Sequence, residues 1–384
     1  KNEQISVSRQ STKVNRAIDD HDRSIQLETQ YPEYERTLIS KLLDLTEITE
    51  RSIIRVTIPR ISNPNSFQQV IIMSAFSAIG EGQPTNQDDY TPELEPQATW
   101  CPGCGDFGVL KALKGAAEEL GKSPEEMLLC TGIGCSGKLN SYFDSYGFHT
   151  IHGRSLPVAR AAKLTNPGVE VIAAGGDGDG YGIGGNHFMH TARENHDMTY
   201  IVFNNEIFGL TKGQTSPTSP KGHKSKTQPH GSAKEPLRPL SLSLNAGASY
   251  VARTAAVNPN QAKEIIVEAM EHDGFAHIDF LTQCPTWNKD AKQYVPYIDV
   301  NDSEDYEFDK TDRREAADMM AETETALHGG KVLTGRYYVD KDRPSYGEEK
   351  RAIGEMPEEP LAERHFDDSY KLERSADLFL DKHK

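Results

Sequence analysis

The chain has 384 residues, with 42 Lys and Arg against 58 Asp and Glu, and a formal net charge of -16. This length suffices for a full-sized core in one large or two ordinary domains. No apolar run is long enough to cross a membrane, and the acid excess argues against nucleic acid or an anionic membrane as the main partner. Five cysteines, an odd number without a secretory signal, indicate a reducing compartment, and we expect a cytoplasmic protein.

The charge is distributed unevenly along the chain. Residues 1–72 hold equal numbers of basic and acidic side chains, so the net charge of -16 comes entirely from Met73 onward. The first stretch also has too little periodic apolar surface to offset the entropy of ordering it. We expect Met73 to be the natural start, residues 1–72 to be a non-native or disordered extension, and residues 73–99 to form an N-terminal arm. The alternative is that 1–72 is a natural, poorly ordered arm.

From about Trp100 the sequence alternates between strand-like and helical patterns. We predict strands at Met127–Thr131, Val169–Ala174, Met198–Phe203 and His277–Thr282, and helices at Gly108–Leu120, Leu156–Leu164, Gly185–Glu194 and Asn260–Glu271. One helix between successive strands implies right-handed crossovers. The predicted fold is therefore an α/β domain over residues 100–295, with a mostly parallel sheet and helices on both faces. Ligands are then expected at the carboxyl ends of the strands.

Two segments depart from this alternation. Residues 211–239 form a long loop rich in Ser, Pro, Gly, Lys and His, which in a compact domain is typically functional or disordered. This loop region holds five lysines: Lys212, Lys221, Lys224, Lys226 and Lys234. After Trp287 the sequence turns acidic, and we predict an acidic C-terminal extension over 296–384. It contains one amphipathic helix between a cap at Asp312 and the pair Gly329-Gly330.

Four of the five cysteines are placed to share one metal group. Cys101-Pro-Gly-Cys104 is a tight turn whose glycine lets two thiolates converge, and Cys135 and Cys284 each come shortly after a predicted strand. Four thiolates suit a [4Fe–4S] cluster or a structural zinc. Zinc sites commonly use two such turns, so the pattern favours iron–sulfur while leaving zinc open. Cys130 lies inside an apolar strand and is interpreted as a small core residue.

A glycine-rich turn follows the strand predicted at Val169–Ala174. It contains Gly176-Asp-Gly178, and Asn205 follows the next predicted strand. This spacing places a carboxylate, from Asp177, and an amide oxygen at two adjacent strand ends, where both suit Mg²⁺ holding a diphosphate. The nearby glycines let backbone N–H groups approach phosphates. The spacing is that of the thiamine-diphosphate motif.

Three further residues are candidates for contact with a ligand. His152 lies one crossover before the glycine-rich turn, so a cofactor role is favoured over a structural one. Lys212 follows the asparagine pair closely and is either solvated or placed to meet a carboxylate or phosphate. Lys138 completes G-x-x-x-x-G-K, but Leu139 stands where a P-loop needs Ser or Thr, which argues against a nucleotide triphosphatase.

Taken in order, these motifs resemble those of the β subunit of archaeal and bacterial 2-oxoacid:ferredoxin oxidoreductases. The resemblance covers roughly residues 95–295. It is carried by Trp100-Cys-Pro-Gly-Cys-Gly-Asp106, Gly132-Ile-Gly-Cys-Ser-Gly-Lys138, His152-Gly-Arg154, Gly176-Asp-Gly-Asp179, Asn204-Asn205, Gly209-Leu-Thr-Lys-Gly-Gln214 and Cys284-Pro-Thr-Trp-Asn288.

The resemblance implies a role for each matched position. The [4Fe–4S] ligands would be Cys101, Cys104, Cys135 and Cys284, and the Mg²⁺ ligands would be Asp177, Asn205 and the main-chain carbonyl of Ile207. The contacts to thiamine diphosphate would come from Ile133, Gly134, Cys135, Ser136, His152, Gly178, Asp179, Gly209 and Leu210. Lys138 and Lys212 would face the substrate, and with His152 they are the catalytic candidates.

The resemblance also implies an activity and partners. The chain would have the thiamine-diphosphate-binding fold and bind the diphosphate half of the cofactor, while an α subunit in an α2β2 hetero-oligomer would bind the pyrimidine half. The complex would convert a 2-oxoacid to acyl-CoA and CO₂ and pass electrons to ferredoxin. Similarity to haloarchaeal chains favours pyruvate over 2-oxoglutarate and a salt-rich cytoplasm. Separately, the five lysines of the 211–239 loop stand out in an acidic protein, and we expect this loop either to face coenzyme A phosphates or an acidic α surface or to be simply solvated.

Two other classes of protein compete with this interpretation. A non-redox thiamine-diphosphate decarboxylase or synthase subunit with structural zinc predicts a pyrimidine domain in the same chain, and residues 1–72 are too few to form one. A non-catalytic zinc scaffold would leave Asp177 and Asn205 without a function.

Overall fold

The computed structural model describes residues 87–92, 98–288 and 297–354. The predictions for residues 1–72 and for most of the 73–99 arm lie outside these ranges, as does the tail from 355. In chain order the strands are β1 (Met127–Thr131), β2 (Tyr146–His149), β3 (Glu170–Gly176), β4 (Met198–Asn204), β5 (Ile207–Phe208), β6 (Gln214–Thr215), β7 (Tyr250–Ala255), β8 (Phe275–Leu281), β9 (Tyr297–Asp299) and β10 (Val332–Val339). The α-helices are α1 (Asp106–Glu119), α2 (Ser155–Thr165), α3 (Gly185–Glu194), α4 (Pro239–Ala246), α5 (Pro259–Met270), α6 (Arg313–His328) and α7 (Tyr346–Ala352).

Eight of these strands form one sheet in the order β2-β1-β3-β4-β8-β7-β10-β9. All pairings in this sheet are parallel except that of β10 with β7. The predicted α/β fold with a mostly parallel sheet is therefore confirmed. Strands β9 and β10 come from the segment predicted as the acidic extension, and they join this same sheet.

The helices cover both faces of the sheet, because successive side chains of a strand point to opposite faces. On one face, α1 packs against α5, and their apolar side chains share a core with alternate residues of the central strands, such as Ile172, Ile201 and Ile278. The other face is covered by α2, α3, α4 and α6. Cys130, in β1, is fully buried.

The predicted elements are found close to their expected limits. All four predicted strands and all five predicted helices are present, and the Asp312 side chain caps α6 by accepting hydrogen bonds from the N–H groups of Arg314 and Glu315. Strands β2, β5, β6, β7, β9 and β10 and helices α4 and α7 were not predicted. In the described part of the chain, no helix is both long and apolar enough to cross a membrane.

Candidate active site

A cleft of about 80 Å³ opens at the carboxyl ends of β3 and β4. The register of these strands pairs Gly176 with Phe203, so the segments that follow both strands meet at the same edge. The cleft is lined by all nine residues predicted to contact the cofactor and by the three predicted Mg²⁺ ligands: Ile133, Gly134, Cys135, Ser136, His152, Gly178, Asp179, Gly209, Leu210, Asp177, Asn205 and Ile207. The structure therefore brings these residues together, while their roles stay predictions.

The three predicted Mg²⁺ ligands lie on the two adjacent strand ends. Asp177 is almost completely buried, and its Oδ2 accepts a 2.6 Å hydrogen bond from the hydroxyl of Thr218. Burial raises the pKa of the Asp177 carboxyl to about 6, although hydrogen bonds from its neighbours oppose this. Between Asn205 and Ile207, the residue Glu206 has a φ of 60°, which is uncommon outside glycine. The resulting turn places both ligands on the cleft, and oxygen ligands of this kind suit Mg²⁺.

Asp179 organises the wall of the cleft opposite these ligands. Its Oδ1 accepts hydrogen bonds from the N–H groups of Gly153 at 2.7 Å and Ile133 at 3.1 Å. The Nδ1 of His152 lies 2.7 Å from the same oxygen. Burial raises the pKa of Asp179, whereas these donors favour the charged form. One buried carboxylate therefore fixes two backbone segments and one imidazole at the cleft.

Close packing explains the glycine at position 178. A Cβ added there would lie 2.1 Å from Cε1 of Phe208, because the ring of Phe208 occupies the space beside the glycine. The same ring contacts His152 edge to face, with the ring centroids 6.2 Å apart. Phe208 lines the cleft, and the sequence analysis missed it, as it missed Gly176, Phe203 and Thr211.

The cleft contains a polar atom that is suited to a phosphate group. The Ser136 hydroxyl is buried and has no hydrogen-bond partner among the described residues. It lies in the cleft wall, close to Gly176. A buried donor without an acceptor costs free energy, and a phosphate oxygen would satisfy it. Together with the oxygen ligands on Asp177, Asn205 and Ile207, it fits a bound Mg²⁺–diphosphate.

The four cysteines predicted as cluster ligands converge next to this cleft. The N–H of Cys104 donates to the carbonyl of Cys101, and the N–H of Gly105 donates to the carbonyl of Gln283, so the tight turn lies against the Cys284 segment. The Sγ atoms of Cys284 and Cys135 lie 3.5 and 3.9 Å from the point where a Cβ on residue 209 would be.

Burial and nearby negative charges raise the pKa values of two of these thiols, those of Cys135 and Cys104. Burial, with the charges of Asp106 and Cys284, raises the pKa of Cys135 to about 11. The pKa of Cys104 is also raised, by burial and by Asp106, Cys135 and Cys284. Such a set favours a cationic metal group, because metal binding stabilises thiolates. All five cysteines are free thiols, and within the described ranges no three His, Cys, Asp or Glu side chains are arranged to hold a single metal ion.

Three comparisons identify proteins that are similar to this one. A family model described as "Thiamine pyrophosphate enzyme, C-terminal TPP binding domain" matches residues 132–280. A solved structure of 2-oxoglutarate:ferredoxin oxidoreductase from Magnetococcus marinus, with 2-oxoglutarate, coenzyme A and succinyl-CoA bound, is similar at a TM-score of 0.67 and 35% identity. The match covers 79% of this chain and 98% of that chain.

Two curated relatives support the same assignment. The 2-oxoglutarate oxidoreductase subunit KorB of Mycobacterium tuberculosis is 41% identical over 206 residues, which cover 54% of this chain and 55% of the relative. The β subunit of 2-oxoacid:ferredoxin oxidoreductase 2 from Aeropyrum pernix is 39% identical over 278 residues, which cover 69% of this chain and 88% of the relative. The chain belongs to the family of 2-oxoacid:ferredoxin oxidoreductase β subunits. The resemblance found in the sequence is therefore confirmed.

The two lysines predicted to face the substrate do not line the cleft of this family member. The Lys138 Nζ lies 3.2 Å from the Thr99 hydroxyl, and its charge acts on Asp106 and Cys135 beside the cysteines. Lys212 instead lines an open groove of about 570 Å³. In the described part of the chain, no hydrogen bond or ion pair joins either lysine to the predicted Mg²⁺ ligands.

The groove that contains Lys212 is basic. It is lined by Lys212, Gly213, His223, Lys224, Ser225, Lys226, Thr286 and Trp287. The ammonium of Lys226 lies 5.8 Å from the centroid of the Trp287 ring. Lys221, which belongs to the same loop, is elsewhere: it pairs with Glu235 and lines a separate cavity. The five lysines of the loop therefore do not form one surface.

Proposed function

We propose that this chain supplies half of the active site of a 2-oxoacid:ferredoxin oxidoreductase, together with an α subunit. One observation carries the proposal: Cys135 lines the cleft that contains the predicted Mg²⁺ ligands, and its sulfur also lies beside that of Cys284. A cofactor in the cleft would therefore be adjacent to a metal group on the cysteines. Single-electron transfer between two such groups requires this proximity.

The residues of the cleft have separate tasks in this proposal. Asp177, Asn205 and the carbonyl of Ile207 would hold Mg²⁺, and Ser136 would donate a hydrogen bond to the diphosphate. When bound, thiamine diphosphate accepts the electron pair that decarboxylation releases. The cleft of about 80 Å³ is smaller than typical ligand sites. This small size agrees with a site in which a second subunit forms the wall around the rest of the cofactor.

The cysteines would hold one [4Fe–4S] cluster through Cys101, Cys104, Cys135 and Cys284. Four cysteine side chains that converge beside the cleft are the donor set expected for such a cluster. Electrons would leave through this cluster to ferredoxin. We place the coenzyme A phosphates in the basic groove, which is lined by Lys212, Lys224 and Lys226. An acidic surface of the α subunit is the alternative occupant.

Two substrates are candidates. Pyruvate is the expectation from the sequence, and 2-oxoglutarate is favoured by the names of the relative from Mycobacterium tuberculosis and of the structure from Magnetococcus marinus. We also propose a cytoplasmic location, with the charge of -16 reflecting a salt-rich cytoplasm.

The decisive experiment is anaerobic co-purification with the α subunit, followed by iron analysis and electron paramagnetic resonance. We expect about four iron atoms for each chain, as one cluster contains. We also expect a reduced-cluster signal when coenzyme A is added with pyruvate or 2-oxoglutarate. The relative rates with the two acids decide the substrate. Zinc without iron, or the absence of a signal with every 2-oxoacid tested, would contradict the proposal and support the non-redox alternative.

A further inference from the structure

A second cavity of about 550 Å³ adjoins the cofactor cleft without sharing a lining residue with it, and its Thr218 donates a hydrogen bond to Asp177 of the cleft. It is bounded by the end of β4, by Arg253 of β7, by the C-terminal half of α6 and by the loop between β6 and α4. Its size falls in the range of small-molecule sites. Part of its wall is apolar and consists of Pro220, Pro236, Leu237, Pro239 and Leu327.

The floor of this cavity contains an arginine with an unused donor. Arg253 is 1% exposed, and its Nε and Nη2 both lie 2.7 Å from Oδ2 of Asp279. Its Nη1 is buried and has no hydrogen-bond partner in the part of the chain that the structure describes. Guanidinium groups carry five N–H donors, and leaving two of them unmet in the interior is costly. The described residues therefore supply no acceptor for this buried donor, and a bound ligand would provide one.

The carboxylates of Asp279 and Glu324, near Arg253, accept hydrogen bonds from other groups. The other oxygen of Asp279 accepts hydrogen bonds from Tyr181 and Asn204. Glu324 accepts a 2.7 Å hydrogen bond from the N–H of Leu240, as well as bonds from the N–H and hydroxyl of Ser241. Neither of these two side chains therefore satisfies Nη1 of Arg253.

The charges around the cavity favour one class of anion. Burial, and then the charge of Arg253, lower the pKa of His328, so this residue adds no positive charge near pH 7. Arg238 and the ion pair of Lys221 with Glu235 also line the cavity, and so do Glu206 and Glu324, whose carboxylates disfavour a doubly charged anion such as phosphate. A single carboxylate matches the planar guanidinium, and a short carbon chain matches the apolar wall.

We propose that this cavity is a second ligand site, which binds a small carboxylate through Nη1 of Arg253. The carbon chain of the ligand lies against Leu237 and Leu327. This site is independent of the proposed catalytic function, because binding to it requires neither the cofactor nor the cluster.

The test measures binding of butyrate to the full chain in complex with its α subunit, by calorimetry and without any 2-oxoacid present. Butyramide is the neutral control of the same shape, and inorganic phosphate tests the other class of anion. We expect butyrate to bind, and butyramide and phosphate to bind at least about tenfold more weakly. Equal binding of butyramide, or tighter binding of phosphate, would overturn the assignment of a carboxylate.

Two variants locate the binding within the molecule. Arg253→Lys keeps the positive charge but removes the planar group, and we expect it to weaken butyrate binding about ten- to hundredfold. Arg314→Lys, at an exposed position of α6, is the matched control and is expected to change nothing. Thr325→Trp, at an exposed position that lines the cavity, narrows the cavity without replacing Arg253 and serves if the first variant does not fold. Unchanged butyrate binding in a folded Arg253→Lys or Thr325→Trp variant would refute the site.

Discussion

The Nδ1 atom of His152 lies 2.7 Å from Oδ1 of Asp179, at the wall of the cofactor cleft. A carboxylate at this distance favours the tautomer whose proton is on Nδ1, which leaves Nε2 as an acceptor. Because Asp179 is also held by the N–H groups of Ile133 and Gly153, the direction of the imidazole is fixed by the backbone of two loops. Asp179 is thus a positioning residue for His152.

This pairing predicts the effect of Asp179→Asn. The substitution keeps the shape of the side chain but removes the charge that fixes the tautomer of His152. We expect the rate of 2-oxoacid oxidation by the α–β complex to fall about ten- to hundredfold, as is typical when an outer partner of a functional histidine is removed. Asp318→Asn, at an exposed position of α6, is the matched control. A full rate in the Asp179→Asn variant would show that the pairing is only structural.

A second prediction concerns the packing of Phe208 against Gly178. Gly178→Ala would place a methyl group 2.1 Å from the ring, so the ring must move into the cleft or away from His152. We expect thiamine diphosphate to bind at least about tenfold more weakly in calorimetry, which corresponds to about 1.4 kcal/mol. Adding Phe208→Ala should restore part of the affinity.

The matched control for this glycine is Gly185→Ala. An added Cβ at position 185 has no atom within 4 Å, and the residue begins α3. We expect cofactor binding to be unchanged and the free energy of unfolding to be the same or higher by less than about 1 kcal/mol. Equal cofactor affinity in the variants at 178 and 185 would contradict the steric argument.

The cysteines predict a clear division in iron content. Changing Cys101, Cys104, Cys135 or Cys284 to serine should each remove most of the iron from the anaerobically purified complex, because a cubane held by three thiolates is less stable. Cys130→Ser should retain it, since Cys130 is buried in β1 away from the other thiols. Iron analysis and the reduced-cluster signal provide the measurement. Retention of iron in all four variants would exclude this set of ligands.

The lysines of the 211–239 loop lie in different places, so we expect their substitution to affect KM for coenzyme A differently. Lys224→Gln combined with Lys226→Gln should raise KM for coenzyme A about three- to tenfold at low salt, and by less at high salt, because both lysines line the basic groove. Lys221→Gln is the control, since Lys221 lines the other cavity and pairs with Glu235. An unchanged KM together with weakened assembly would assign the groove to the α subunit instead.

The buried His277 predicts a loss of stability in acid. Burial lowers its pKa to about 4, whereas the unfolded chain titrates near 6.5. Between these values the unfolded state binds a proton that the folded state does not, so the stability from this group is present above pH 6.5 and is lost as the pH falls towards 4. The full effect is roughly 3 kcal/mol.

Urea unfolding of the purified chain at pH 7.5 and at pH 5 measures this effect. His277→Gln keeps a polar group beside Tyr181, which contacts Nε2 of His277 at 2.7 Å, but it does not titrate. We expect the variant to lose less stability than the wild type between the two pH values. His230→Gln, at an exposed position, should behave as the wild type does. Identical losses in all three proteins would show that another group dominates.

Strands β1, β3 and β4 could be predicted from the sequence because they are nearly continuous apolar runs, and β8 was predicted although Asp279 lies within it. Strand β7, which has Arg253 in its middle, was not predicted, and only the folded sheet brings the Asp279 carboxylate of β8 to this charge. A pairing between two residues so far apart in the sequence cannot be predicted from the residues next to either one. The cap of α6, by contrast, depends on neighbours within three residues, and it was predicted at Asp312.

The same distinction applies to the candidate site: features set by nearby sequence could be predicted, and features set by the folded chain could not. Residues directly after strands meet at one edge of a parallel sheet, so the convergence of Asp177 and Asn205 could be predicted from their spacing. The packing of Phe208 into the space beside Gly178 could not, since it depends on the path of the chain after β4. The separation of Lys221 from Lys224 and Lys226 likewise arises from the turns of the loop rather than from its composition.

The close contact at Gly105 has a consequence for the order of assembly. A Cβ there would lie 2.7 Å from the backbone nitrogen of Gln283. The turn that contains Cys101 and Cys104 therefore packs directly against the segment just before Cys284. During synthesis, the first two cysteines leave the ribosome long before the strand that receives them. The proposed cluster, which uses Cys284 as well as these two cysteines, would then be completed only after β8 has joined the sheet, late in the maturation of the subunit.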